Sequence, residues 1–183
     1  MAVGIAGYGV YIPRYRIRAE EYVKAHGRFA AAGVLEKAVL AHDEDATTMA
    51  VEASINALKS SGVEAAQLTA IFTATTTPTY EEKSLSSTLA TALGARDVFG
   101  ADLGISSKAG SAALISAANL VSARGGFALV VASDAPKASP GDDLDHGFGA
   151  GAAAYVLGAG DVAVEIEDYY SVCYESWGGS MRL

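Results

Sequence analysis

The spacing of apolar and polar positions divides the chain into short strands and helices. Apolar runs of strand length predict four strands, over 3–12, 68–75, 98–105 and 127–133. Helical spacing predicts helices, each ending near a glycine, over 20–26, 43–58, 81–93 and 109–124. Continuous apolar runs between helices, such as 127–133, are typical of a parallel sheet buried on both faces. Two further segments are assigned by pattern: 162–177 alternates like one long, bent strand, and 35–40 favours helix.

Composition narrows the class of protein. The chain has 183 residues, 51% of them apolar, which predicts one α/β domain over residues 1–183 with a substantial core. The net charge of −8 argues against a nucleic-acid or anionic-membrane surface. A single cysteine, Cys173, excludes an internal disulfide and a multi-cysteine zinc site within the chain. With no signal pattern after Met1 and no membrane-spanning run, we expect a cytoplasmic protein.

The segment 98–114 has the pattern of a nucleophile-bearing turn. The apolar run 98–105 predicts a short buried strand, which is followed by a tight turn at 106–109 and then by a helix rich in alanine. A strand, sharp turn and helix in this order lift the turn side chain clear of the sheet, beside unpaired helix N–H groups that favour an anion. Ser107 occupies the turn, either as a nucleophile or as a residue that merely caps the helix.

Charged clusters offer two further candidate sites, each with a simpler interpretation. Arg14, Arg16 and Arg18 alternate after the first strand, either as a solvated basic edge or as a cationic rim for a phosphate-bearing ligand. The acidic run 43–45 suggests a metal site, but acids at a helix N-terminus explain it more simply. We therefore predict no metal site.

Polar and glycine-rich loops supply the remaining candidates. The threonines of 75–79 either line a polar pocket or satisfy loop backbone groups. The glycine-rich run 147–151 lacks the dinucleotide-binding fingerprint, so a nucleotide site there is weakly supported. A lone histidine, His146, precedes this run, and a loop role is favoured over catalysis. Several aromatic residues of 169–177 could form an apolar surface that needs a partner.

Several of these motifs together resemble the thiolase superfamily. The run Ser107-Lys-Ala-Gly-Ser-Ala-Ala113, preceded by Ala101-Asp-Leu103, is similar to the nucleophile segment of its 3-hydroxy-3-methylglutaryl-CoA synthase branch. The runs 7–16 and 43–53 resemble the same branch, whereas the loop Thr75-Thr-Thr-Pro78 looks like the ketoacyl-synthase III branch. The likeness extends from Val3 to about Trp177.

The resemblance assigns roles and shows two departures. It places the acyl-accepting cysteine of the family on Ser107 and the glutamate base on Thr76, which cannot act as a general base near neutral pH. It implies a coenzyme A thioester as substrate and no cofactor. With the loop patterns, it gives these candidate substrate-binding residues: Thr75, Thr77, Lys108, His146 and Gly149.

The resemblance also implies half of a fold. The family pairs two similar βαβαβαββ halves, and this chain matches the first, with a mixed, mainly parallel sheet; the catalytic His and Asn of the family lie in the second. One face of the sheet is then uncovered, which predicts a homo- or hetero-oligomer with a thiolase-like chain. By analogy, an OB-fold/zinc-ribbon protein is a further candidate partner.

Three functions remain open at this point. The chain is a non-catalytic subunit that completes the fold and substrate site of a partner, or a split acyltransferase or condensing enzyme that uses Ser107, or a fragment with no independent role. The substitution of both catalytic positions favours the first.

Overall fold

The computed structural model describes residues 1–104 and 106–173, and these form a layered α/β structure. The central sheet has six strands: β1 Val3–Tyr11, β4 Leu68–Ala74, β5 Phe99–Leu103, β6 Phe127–Asp134, β7 Gly151–Ala159 and β8 Val164–Glu165. A separate hairpin consists of β2 Tyr15–Arg18 and β3 Glu36–Val39. The helices are α1 Ala19–His26, α2 Ala46–Ser61, α3 Leu85–Leu93, α4 Ala109–Arg124 and α5 Asp143–Gly147. One 3₁₀ turn, Ala65–Gln67, precedes β4.

The sheet is mixed but mostly runs in one direction. Its strand order is β5-β4-β6-β7-β1-β8. Strand β4 pairs in parallel with both β5 and β6, whereas β7 runs antiparallel to β6 and β1. Four strands, β1, β4, β5 and β6, therefore share one direction, and their carboxyl ends lie at one edge. This architecture confirms the predicted α/β fold with a mainly parallel sheet.

Helix α2 packs on one face of the sheet because β1 presents glycines to it. A Cβ atom at Gly9 would overlap the backbone of Ala53 and Ala57, and one at Gly7 would meet Ser61. Met49 and Ala53 of the helix are fully buried in this layer. The close approach of helix and strand therefore depends on the absence of side chains at two positions of β1.

Helix α4 covers the opposite face, mainly over β4 and β6. Its alanines 109, 113, 117 and 118 are buried against Phe72, Val130 and Leu157. On this same face β1 is less well covered, because the side chains that alternate with its glycines are exposed. Tyr8 is 64% exposed and Val10 is 53% exposed, and Ile12, just after β1, is 59% exposed. We call these three residues the open face.

Several predicted segments differ from the structure. The predicted helix over 35–40 is wrong, because residues 36–39 form β3 and pair antiparallel with β2. The helix predicted from residue 81 begins at Leu85, since the Ser84 side chain accepts the N–H of Ser87 as its N-cap. The lone His146, expected in a loop, lies in the short helix α5, whose N-cap is Asp142.

Two predicted strands have different surroundings or lengths. The run 98–105 was expected to be a buried strand, but β5 is an edge strand and Phe99 is 55% exposed. The long strand predicted over 162–177 is wrong for its described part, in which only the two residues of β8 are strand. Ile105 and residues 174–177 lie outside the described residues. Within those residues, no helix is long and apolar enough to cross a membrane.

Candidate functional site

The carboxyl ends of three parallel strands bring the candidate residues to one edge of the sheet. Strand β4 ends before Thr75, β5 ends four residues before Ser107, and β6 ends at Asp134. The backbone N–H of Thr75 donates to the carbonyl of Leu103 over 3.1 Å, which ties the first two loops together. Ligand sites of open α/β sheets form at this edge, where the strands deliver polar loops.

Ser107 lies in an exposed turn immediately before α4. The helix N-cap is Lys108, and in the described parts of the chain no side chain caps this helix. The carbonyl of Ser106 accepts the N–H of Ala109 over 2.9 Å and closes the turn. The interpretation of Ser107 as a simple helix cap is therefore wrong, and its hydroxyl lies beside the N-terminal end of a 16-residue helix.

Asp134 organises the threonine loop. Its Oδ1 accepts the backbone N–H groups of Thr76 and Thr77 over 2.7 and 3.0 Å. The hydroxyls of Thr75, Thr76 and Thr77 donate to the same oxygen over 3.0, 3.1 and 2.9 Å. A carboxylate that collects several donors fixes a loop strongly, because each bond to a charged acceptor is stronger than a neutral one.

In this network the threonine hydroxyls are bonded to other groups of the same chain. The Thr76 hydroxyl points at a carboxylate of its own chain, and the Thr77 hydroxyl also accepts the N–H of Ala135 over 2.9 Å. The threonines therefore satisfy the loop, and no side chain among 75–77 carries a basic group. Their predicted roles, catalytic for Thr76 and substrate-binding for Thr75 and Thr77, stay predictions.

A second carboxylate, Asp102, anchors the edge strand. Its Oδ1 accepts the Thr73 hydroxyl over 2.6 Å and the Ser86 N–H over 2.7 Å. Burial raises the pKa of Asp102, but hydrogen bonds from Thr73, Ser84 and Ser86 lower it by more, so the net pKa lies below the ordinary value. Asp102 is thus held ionised, where it joins β5 to β4 and to the start of α3.

A cavity of about 390 Å³ opens next to Asp134. Asp134 pairs with Gly151 across β6 and β7, and the segments beyond this pair, 135–138 and 148–150, form one wall. Residues of β2 and β3, with Tyr22 of α1 and Asp145 of α5, complete the lining. Gly149, a predicted substrate-binding residue, lines this cavity together with Lys37 and Lys137.

The cavity wall contains an ion pair between a buried lysine and a half-buried aspartate. Lys37 is 8% exposed, and its Nζ lies 2.9 Å from Oδ1 of Asp145 and also donates to the Asp145 carbonyl. The Tyr22 hydroxyl and the Gly141 N–H donate to Oδ2 of Asp145 over 3.1 and 3.3 Å. Four elements of the chain are therefore joined through one carboxylate.

Both partners of this ion pair are held in their charged forms. Burial lowers the pKa of Lys37, but hydrogen bonds with Tyr22 and Asp145 raise it by more, so the net pKa lies above its ordinary value. Burial raises the pKa of Asp145, but hydrogen bonds from Lys37, Gly141 and Tyr22 lower it by more, so the net pKa lies below its ordinary value. The cavity wall therefore carries a fixed ammonium and its carboxylate partner at neutral pH.

His146 lies behind this wall and is fully buried. Its Nδ1 accepts the backbone N–H of Ala30 over 2.9 Å. The ring stacks on Phe29 at a centroid distance of 5.3 Å and lies 4.5 Å from the Tyr22 ring. It belongs to α5 rather than to a loop, and its role as a substrate-binding residue stays a prediction.

The charged clusters behave as structural features. Arg16 pairs with Glu36 at 3.6 Å and Arg18 with Glu20 at 3.5 Å, which favours the solvated-edge interpretation of the arginines. Asp45 caps α2 in a reciprocal pair with Thr48, so the acidic run does begin a helix. In residues 1–104 and 106–173, no group of three or more acidic, histidine or cysteine residues is placed to hold a metal ion.

Sequence reasoning missed Asp134 and the Lys37–Asp145 pair. Asp134 carried a usable signal, because an acidic residue directly after a buried apolar strand lies at the edge where ligand sites form. Lys37 carried none, since it falls in a segment for which helix was expected. Lys108, the N-cap of α4, is exposed, and its role as a substrate-binding residue stays a prediction.

Comparisons with known proteins agree with this geometry. No protein-family model matches the chain. A hydroxymethylglutaryl-CoA synthase of Caldivirga maquilingensis is 43% identical over 177 residues, which are 93% of this chain and 51% of that protein. The corresponding synthase of Methanopyrus kandleri is 38% identical over 176 residues, 92% of this chain and 50% of that protein. The chain thus spans about half the length of the curated relatives it matches.

Solved structures give the same result. The priming β-ketosynthase from the R1128 polyketide biosynthetic pathway has a TM-score of 0.79 and 29% identity, covering 88% of this chain and 51% of its own. PksG, an HMG-CoA synthase from Bacillus, has a TM-score of 0.77 and 26% identity, covering 87% of this chain and 41% of its own. Sequence identity, structural superposition and the half-length coverage agree: the chain belongs to the thiolase superfamily, in the branch of HMG-CoA synthases and ketoacyl-synthase III enzymes, and corresponds to the N-terminal half.

Proposed function

We propose that this chain is a subunit of an acyl-CoA-processing complex, in which it completes the fold and substrate site of a thiolase-like partner chain. The partner supplies the second half of the fold and most of the catalytic groups. The observation that carries this proposal is the hydrogen bonding of Thr76, the residue at which the resemblance expects a glutamate base. The Thr76 hydroxyl donates a hydrogen bond to Asp134 and so helps to fix the loop, and it does not accept a proton from a substrate.

The open face supports association with a partner. Tyr8 and Val10 project from β1 on the side that α4 covers only in part, and both are more than half exposed. Large exposed apolar side chains grouped on one strand mark an interaction surface. Since the matched relatives are about twice as long, a second thiolase-like half is the occupant we propose for this face.

The cavity beside Asp134 supports a coenzyme A thioester as substrate. Its lining combines the side chain of Lys137 and the ion pair of Lys37 with Asp145 with the apolar residues Ile17, Leu40 and Phe148. Of the two lysines, Lys137 is the exposed one, and it is the cation offered to a ligand. Such a lining suits a ligand that carries anionic groups on a partly apolar chain. For the same reason we propose that the complex works in the cytoplasm, where free coenzyme A thioesters are made and used.

An active split acyltransferase or condensing enzyme is the alternative, and the geometry of Ser107 favours it. The hydroxyl is exposed beside the N-terminus of α4, whose N–H groups suit a developing oxyanion. In this version Ser107 Oγ attacks the thioester carbonyl carbon, its proton passes to a base of the partner, and the C–S bond breaks to release coenzyme A. The product is an acyl ester of Ser107.

Ser107→Ala in the intact complex separates the two versions. The rate of coenzyme A release from acetyl-CoA should stay within about twofold of wild type if the chain only completes the site, whereas loss of a nucleophile costs about 10³-fold or more. Ser106→Ala, one residue earlier in the same turn, is the matched control. A wild-type complex with no activity on any coenzyme A thioester would contradict both versions.

A further inference from the structure

The ring of His146 has one nitrogen bonded and the other buried without a partner. Since Nδ1 accepts the Ala30 N–H, the proton of the ring lies on Nε2. Among the described residues, Nε2 of His146 has no hydrogen-bond partner, although the side chain is fully buried. A buried donor without an acceptor lowers stability, so this position is occupied at a cost in folding free energy.

The surroundings of the ring indicate what it holds in place. Phe29 stacks on one side at an interplanar angle of 11°, and Tyr22 lies on another side. Ala30 follows Phe29 directly, and residues 27–35 connect α1 to β3, which carries Lys37. The residue before His146 is Asp145, which binds both Lys37 and Tyr22. The imidazole of His146 therefore contacts the 27–35 segment and α1. The preceding residue of the same helix, Asp145, binds Lys37 in the cavity wall.

We propose that His146 is a positioning residue that fastens the 27–30 segment to α5 and so fixes the Lys37 wall of the cavity. The chain of contact runs from His146 through Tyr22 and Asp145 to the ammonium of Lys37. The hydrogen bond from Ala30 N–H to Nδ1 joins this segment to α5. The buried Nε2 without a partner lowers the folding stability that the same side chain would otherwise give. The effect on ligand binding rests on the proposed coenzyme A site, whereas the fastening itself does not.

Two substitutions separate the fastening from ordinary core packing. Phenylalanine at this position keeps the ring stacking and removes the unpartnered donor, but it cannot accept the Ala30 N–H. Asparagine keeps an acceptor near the position of Nδ1 but loses the ring and leaves a cavity. If His146 served only for core packing, the melting temperature and the protection of the Ala30 N–H from hydrogen exchange would rise or fall together in these two variants. The proposal predicts that they move in opposite directions.

The test uses the complex purified with its partner, with hydrogen exchange read on peptides that cover residues 27–31. In His146→Phe we expect a melting temperature at or above wild type, faster exchange at Ala30 and coenzyme A binding that is about tenfold weaker by calorimetry. In His146→Asn we expect a lower melting temperature with Ala30 still protected. His42→Gln, at an exposed histidine, should match wild type in all three measurements.

The outcomes distinguish this proposal from the proposed function. Unchanged Ala30 exchange in His146→Phe, or equally fast exchange in His146→Asn, overturns the fastening. A spectrum of the imidazole nitrogens that places the His146 proton on Nδ1 overturns it as well. If wild type shows the expected exchange pattern but binds no coenzyme A, the fastening stands and the proposed substrate site and its dependence on His146 fail.

Discussion

The backbone N–H of Thr76 donates to Oδ1 of Asp134 over 2.7 Å, although 58 residues separate them in the sequence. The contact joins the loop after β4 to the last residue of β6. It holds the carboxylate of Asp134 against the backbone of Thr76, the position at which the resemblance implies a catalytic glutamate. The loop is therefore held by the charge of Asp134 and contributes no base of its own.

Replacing Asp134 should loosen this loop. We expect Asp134→Ala to lower the free energy of unfolding by about 2 kcal/mol, since several donors lose a charged acceptor. Urea unfolding monitored by circular dichroism measures the change. Asp161→Ala, at an exposed position outside the helices and strands, should change stability by less than about 0.5 kcal/mol. Equal effects of the two substitutions would show that the network adds nothing.

The Lys37–Asp145 pair should make a large and acid-sensitive contribution. Removing the carboxylate leaves the buried ammonium of Lys37 uncompensated, and because Asp145 is partly exposed we expect Asp145→Asn to cost about 2 kcal/mol at pH 7, less than for a fully buried pair. Burial raises the pKa of Asp145 and its hydrogen bonds lower it by more, so its folded-state pKa lies below 3.8. The contribution is then complete above about pH 4 and is lost as pH falls through the folded-state pKa.

Urea unfolding of wild type and Asp145→Asn from pH 7 down to pH 3 checks this sign. The difference in unfolding free energy should stay constant to about pH 4 and then narrow. Lys24→Gln removes the exposed pair with Glu21 and is the matched control, for which we expect no resolvable change in unfolding free energy at any of these pH values. A difference that widens in acid contradicts the assignment.

Two glycine substitutions test the packing of the layers. Gly9→Ala places a Cβ against the backbone of α2, so we expect a loss of about 3 kcal/mol or failure to fold. Gly110→Ala places a Cβ in ordinary contact, 3.8 Å from Ala132, within a helix, where we expect a gain of about 0.5 kcal/mol. Thermal melts of the two variants should shift in opposite directions, and a neutral Gly9→Ala would contradict the described approach of α2 to β1.

The open face should govern association and not folding. Val10→Lys replaces a side chain that is 53% exposed, so the isolated chain should keep its melting temperature. In the complex a buried lysine without a partner should weaken association about 100-fold or more. Leu35→Lys, at a residue that is 83% exposed, is the control. Unaltered association of Val10→Lys in a titration would remove this face as the interface.

The fold was predictable where local chemistry agreed with the long-range structure. The acidic run 43–45 and the glycine that ends α2 mark that helix in the sequence itself, although the cap is Asp45 and the helix begins at Ala46 rather than at residue 43. Residues 35–40 were not predictable in this way, because four residues of β3 are too few to show a period, and its partner β2 lies before a helix. Likewise, no sequence pattern distinguishes the edge position of β5 from an interior one.

The candidate site was predictable only in part, for a similar reason. Ser107 and Thr76 each follow a strand, so their placement at one edge follows from parallel pairing alone. Asp134, Lys37 and Asp145 act through partners 58 and 108 residues away, and such contacts leave no periodic signal. His146 was noticed as a lone histidine, but its burial depends on α1 and α5 meeting in space.

Native mass spectrometry of the complex, isolated from its own cells and with each chain sequenced, tests the central claim most directly. The account predicts a fixed stoichiometry with a companion that has a thiolase-like second half and carries the histidine and asparagine that the resemblance assigns to that half. A homo-oligomer or a monomer of this chain, with no such companion at any concentration tested, would contradict it.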